Sequence, residues 1–141
     1  MWIRLFAAML AVGLLSATLD AIAQTPRKQH ALSAQENAQL RDEIARMTSL
    51  TPKEIEVHSK NAVIRVVLVN TAYNGDPPNH REYLASTISA LVTQKEQTDA
   101  RLKSVLSLHV EFVERGRRSS KTVDTIEFRR EANGALVRHT T

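Results

Sequence analysis

The chain is 141 residues long, with 19 basic and 15 acidic side chains, a formal net charge of +4 and no cysteine. That length supports one modest hydrophobic core and excludes two large domains. The missing cysteines exclude disulfides, a thiol nucleophile, thiolate metal sites and a lipid-modified cysteine. Aromatic residues make up only 4% of the chain, too few for a base-stacking platform, so nucleic acid is not an expected partner.

The first 23 residues read as a cleaved secretory signal peptide. Arg4 gives a short positive start, Leu5 to Leu15 are apolar and uncharged, and Ala21-Ile22-Ala23 has the small-x-small pattern that a leader peptidase cuts after. The alternative is a retained anchor. The apolar run, even taken to Leu19 and closed by Asp20, is shorter than the ~20 residues that span a bilayer. Cleavage leaves no spanning segment and predicts a periplasmic or secreted chain starting at Gln24, with no covalent staple to hold it.

Gln24 to His30 are polar, contain Pro26 and lack periodicity, so residues 24–32 are expected to be a flexible tail and residues 33–141 the single folded domain. Ser33-Ala34-Gln35-Glu36 is a capping box that opens a helix to about Met47, with Leu40, Ile44 and Met47 as its apolar stripe. Thr51-Pro52-Lys53-Glu54 repeats the start signal, with room for one turn. Ile55 to Asn70 reads as a β-hairpin turning at Lys60-Asn61. Ile55 then faces Val66, Val57 faces Ile64, and Glu56 faces Arg65 as a charge pair. Val63, Val67 and Val69 make the second strand apolar on both faces, which implies an inner or covered strand.

Thr71 to His80 is a loop marked by Asn74-Gly75 and Asp76-Pro77-Pro78. A second helix, opened by Asn79 and Glu82, runs to about Gln97 with a possible extra turn to Arg101. Its apolar side is Tyr83, Leu84, Ile88, Leu91 and Val92. The last third is a strand meander. Leu106, Leu108, Val110 and Phe112 alternate with polar residues, a turn spans Arg115 to Ser120, and Thr122 to Arg130 returns. Asn133-Gly134 then turns the chain into a short strand from Ala135 to His139. The order helix, two strands, helix, three strands predicts an α+β domain with helices on one face of a curved antiparallel sheet.

Over residues 33–113 this order resembles BON modules, which associate with phospholipid in bacterial envelopes; those usually have a glycine where this chain has Asn61-Ala62. Over residues 33–140 it is similar to NTF2-like folds, whose curved sheets hold small ligands or protein partners. Neither likeness carries a motif that maps residue by residue, and a shared fold does not set a function.

Charge singles out the first candidate site. Basic and acidic residues balance from Gln24 to Glu114. From Arg115 onward, Arg115, Arg117, Arg118, Lys121, Arg129, Arg130 and Arg138 face only Asp124, Glu127 and Glu131. Arg115, Arg117, Arg118 and Lys121 crowd one turn and could bind oxyanions of an anionic lipid or an acidic envelope partner. The plain alternative is a solvated turn kept soluble by its charge. A meander turn centred on Arg118 pairs Val113 with Val123, Glu111 with Thr125, His109 with Glu127, and Ser107 with Arg129. His109 with Glu127 is the minimum for general acid–base chemistry, as in a small hydrolase or isomerase, although Arg129 is expected to occupy Ser107. An exposed face laced with charge pairs explains the same residues.

The histidines (His30, His58, His80, His109, His139) show no metal-binding spacing. His109, Glu111 and Glu127 are the one trio the register brings together. No metal and no cofactor are expected. Tyr73, Asn74 and His80 could line a pocket mouth, or the loop could be a proline-stiffened connection. The functional expectation is a non-enzymatic exported binding or adaptor module. An enzyme using His109 and Glu127 is one alternative, and a structural subunit pairing through the edge of the meander is another.

Overall fold

The computed structural model describes residues 31–140; the expected leader and residues 24–30 of the expected tail lie outside them. Helix α1 (Ala34–Thr48) starts at the expected capping box. The Ser33 hydroxyl accepts from the Glu36 amide at 3.2 Å, and the Glu36 carboxylate accepts from the Ser33 amide at 2.7 Å. Ser49 ends it in a left-handed conformation, φ 58°. Leu40 and Ile44 are buried as the periodicity implies, but Met47 is 59% exposed and Ala45 and Thr48 take its place. A single helical turn, Pro52–Glu54, follows, its Glu54 carboxylate bound by the Thr51 amide at 2.8 Å.

Strands β1 (Ile55–Lys60) and β2 (Val63–Val69) form the hairpin two residues out of the expected register. The turn is Asn61-Ala62, with φ 50° and 63°, and Ile55 lies opposite Leu68 and Val57 opposite Val66. A shift of two leaves every side chain on its expected face, and Leu68 gains a partner. Ala62 adopts the positive φ that a glycine would take freely. It is held there because its side chain is buried and its carbonyl accepts the Leu106 amide at 2.7 Å. Glu56 therefore faces Val67 and Arg65 faces His58, so the expected Glu56–Arg65 pair does not form.

Helix α2 (Pro78–Lys95) begins one residue before the expected Asn79, because Pro78 at the first helical position presets the backbone. It ends at Lys95, and Ala100–Ser104 forms a separate turn. Leu84, Ile88, Leu91 and Val92 are buried, whereas Tyr83, expected on the apolar side, is 77% exposed. Helix α2 carries the chain back across the sheet, so β3 (Ser107–Arg115) runs parallel to β2. The sheet is thus mixed rather than antiparallel throughout, and it is not strongly curled. The class α+β stands. Leu106, 56% exposed, precedes β3 instead of belonging to it.

Strands β4 (Ser120–Arg130) and β5 (Leu136–His139) complete the order β1-β2-β3-β4-β5. Ser107–Arg129, His109–Glu127 and Glu111–Thr125 pair as a turn centred on Arg118 implies. A bulge after Phe112 sets Phe112 opposite Asp124 and Val113 opposite Thr122, so the expected Val113–Val123 pair does not form. Gly134, φ 86°, makes the last turn.

The core lies between the helices and one sheet face. Leu40, Ile44, Leu84, Ile88 and Val92 meet Ile64, Val66, Leu68, Leu108, Val110, Phe112, Ile126 and Phe128. Each such side chain contributes about 1.5–3 kcal/mol on burial. β2 is an inner strand, consistent with its valines on both faces. One buried ion pair ties the layers: the Arg130 guanidinium, 11% exposed, grips Glu96, 10% exposed, just past the end of α2. The same guanidinium donates to the carbonyls of Val105 (2.5 Å) and Gly134 (2.5 Å).

Candidate anion-binding tip and charged sheet face

The β3–β4 tip is a four-residue loop closed by the Gly116 amide donating to the Ser119 carbonyl at 2.8 Å. Its base is fixed twice. Asn70, at φ 54° just past β2, accepts from the Arg115 amide at 2.7 Å and donates to the Arg115 carbonyl at 2.9 Å. The Arg115 guanidinium reaches across the sheet to Glu56, 2.5 Å and 3.2 Å to its two oxygens. This hydrogen bond, more than the attraction of charge, holds the Glu56 carboxyl below its usual range. Arg115 is therefore a brace, not a free ligand for an anion.

Arg117, Arg118 and Lys121 differ from it. All three are exposed and form no ion pair among the described residues, although Glu114 lies opposite Lys121 in the ladder. Of the four cations singled out by sequence, three stay available and one is spent on architecture. Asn70 was missed. Its only sequence signal is an asparagine closing a strand, where left-handed backbone is tolerated.

The sheet face opposite the helices carries the second candidate. The registers of four adjacent pairings align His58, Arg65, His109, Glu127 and His139 in one row across all five strands. His109 Nε2 lies 3.6 Å from Glu127, and the same nitrogen lies 3.4 Å from the Ser107 hydroxyl. In a serine–histidine–carboxylate triad the carboxylate holds the ring nitrogen that faces away from the serine. Here both neighbours approach one nitrogen, so no relay is built. Arg129 binds Glu127 at 2.6 Å rather than occupying Ser107, and this bond holds the Glu127 carboxyl below its usual range.

Glu111 is likewise engaged, accepting 2.5 Å and 2.7 Å bonds from Arg65, a grip that raises the Arg65 guanidinium further above its usual range. The trio His109, Glu111 and Glu127 is thus split between two arginines. Among the described residues no three His, Asp or Glu side chains are placed to hold a metal ion.

The 71–80 loop is chiefly structural. Asn74 is buried, accepts from the Thr71 hydroxyl at 2.8 Å and donates to the Val113 carbonyl at 2.9 Å, while Tyr73 packs against the core. A cleft of about 470 Å³ opens nearby, between the start of α2 and strands β4 and β5. Its walls include Arg81, Glu82, Asp124 and Arg138 but none of Tyr73, Asn74 or His80. Its charges are matched within the wall, Arg81 with Asp124 at 2.9 Å and Arg138 with Glu82 at 2.7 Å. No described helix is long and apolar enough to cross a membrane. Comparison with protein-family models, curated proteins and solved structures finds no match.

Proposed function

We propose that the protein is an exported, non-enzymatic binding module whose tip contacts phosphate groups of an anionic envelope component. One observation carries the reading: Arg117, Arg118 and Lys121 are exposed without an ion pair among the described residues, on a loop whose base Asn70 and Glu56 fix. Guanidinium forks match phosphate oxygens, and each basic residue near an anionic bilayer contributes on the order of 1 kcal/mol. A fixed base lowers the ordering cost of binding.

Vesicles of phosphatidylglycerol in phosphatidylcholine test this. Binding falls as salt rises, and R117S/R118S weakens it roughly tenfold or more. Unchanged binding in the double variant rejects the tip, and no binding at low salt rejects lipid as the anion. Export is tested separately: the processed chain is expected outside the cytosol, beginning at Gln24. For the hydrolase or isomerase alternative, His109 and Glu127 lie 3.6 Å apart, but Arg129 already binds the Glu127 carboxylate at 2.6 Å.

A further inference from the structure

We propose that strand β1 pairs with β1 of a second copy of this chain, antiparallel, about a two-fold axis passing through His58. The contact uses a different surface from the tip, although Glu56, which takes part in it, also braces the base of the tip. Among the described residues β1 is an outermost strand, six residues long, with no proline and no bulge. Such an edge is a template for another strand unless charge or shape blunts it. The other edge, β5, has four residues.

The charges on β1 do not repel a second copy, because of their spacing. Glu56 and Lys60 stand equally far from His58. A two-fold there sets Glu56 of one copy opposite Lys60 of the other, twice, and opposite charges facing across strands stabilise pairing. The hydrogen-bond phase fits as well. With a two-residue turn at Asn61-Ala62, the closing Lys60–Val63 pair is the hydrogen-bonded kind. Alternation along an antiparallel ladder then points the amides and carbonyls of Lys60, His58 and Glu56 toward β2, and those of Val57 and Ser59 outward, while the Ile55 amide donates to the Pro52 carbonyl.

A two-fold on His58 matches Val57 with Ser59 of the second copy, outward group to outward group, and leaves the two His58 residues as a non-hydrogen-bonded pair. It also covers the half-buried side chain of Val57. A two-fold on Val57 keeps this phase but sets Glu56 against His58 and moves Lys60 beyond the end of the facing strand. Glu56 already bridges to Arg115 and lies 3.6 Å from His58, which presents it on the open face beside the dyad.

The contact is one strand edge, below the area of stable interfaces, so weak association is expected. Sedimentation up to about 1 mM registers a contact of only ~4 kcal/mol. The natural chain is expected to dimerise in that range. E56K and K60E each put like charges face to face and weaken the dimer roughly tenfold or more, and E56K/K60E restores it. K60E leaves the Glu56–Arg115 brace intact, so it reads the interface even if E56K disturbs the fold.

Because the chain has no cysteine, H58C gives a clean crosslink test. Facing residues of a non-hydrogen-bonded pair lie ~4.5 Å apart, within disulfide reach. H58C is expected to crosslink readily and S59C, which faces Val57, slowly. A monomer at every concentration, a K60E variant that dimerises as strongly as the natural chain, or crosslinking of V57C in preference to H58C overturns the proposal.

Discussion

Asn70 joins backbone conformation to the anchoring of the β3–β4 tip at a single residue. Its left-handed backbone turns the chain off β2, and both ends of its amide are consumed by Arg115. N70G keeps the conformation and removes the clasp; N70A removes the clasp and adds backbone strain. Both are expected to destabilise the fold by about 1–3 kcal/mol in urea unfolding, N70A by more. Equal stability of N70G and the natural chain would show that the clasp is idle. Arg115→Ser, losing the Glu56 bridge, addresses the same base from the other side. By contrast, Arg117 and Arg118 are exposed and form no ion pair among the described residues, so their removal is expected to leave stability within about 0.5 kcal/mol while altering binding.

Between elements, the Arg130–Glu96 pair is the contact most sensitive to loss of one member. It joins β4 to the end of α2 with both partners about nine-tenths buried. E96A strands a buried guanidinium and is expected to cost about 3–5 kcal/mol, whereas E96Q, which keeps an acceptor, costs less. Equal costs for the two substitutions would mean that volume, not charge, is what Glu96 supplies.

What could be read from sequence was what short spans encode. Ser33 with Glu36 marked α1, Asn133-Gly134 marked the last turn, and a turn centred on Arg118 gave the pairing of His109 with Glu127. The direction in which the chain re-enters the sheet after α2 is encoded in no short span, so the parallel β2–β3 joint was missed. With it went the partners of Arg65 and Glu56, which come from Glu111 and Arg115 on β3. Tyr83 and Met47 fit the helical period and still face solvent, because a period marks a stripe but not how far the opposing layer extends beneath it.

In the whole molecule, two locally connected pieces share one core, and within the sheet they meet along one line. The β1–β2 hairpin and the β3–β4–β5 meander each pair strands adjacent in sequence, while β2 and β3 join only after the entire α2 segment has been traversed. Bringing distant segments together must overcome chain entropy before contacts compensate for it, so this joint is expected to form late. V66A in β2 and V110A in β3, buried and opposite one another, should therefore speed unfolding more than they slow refolding in stopped-flow measurements. A refolding rate that drops in proportion to lost stability would place the joint in the nucleus instead. A dividing line of this kind also suggests where the polypeptide tolerates being made in two parts: separate fragments ending and beginning within residues 97–99 would each keep their own local pairings and would reunite through one zipper of backbone, the shared core and the Glu96–Arg130 pair.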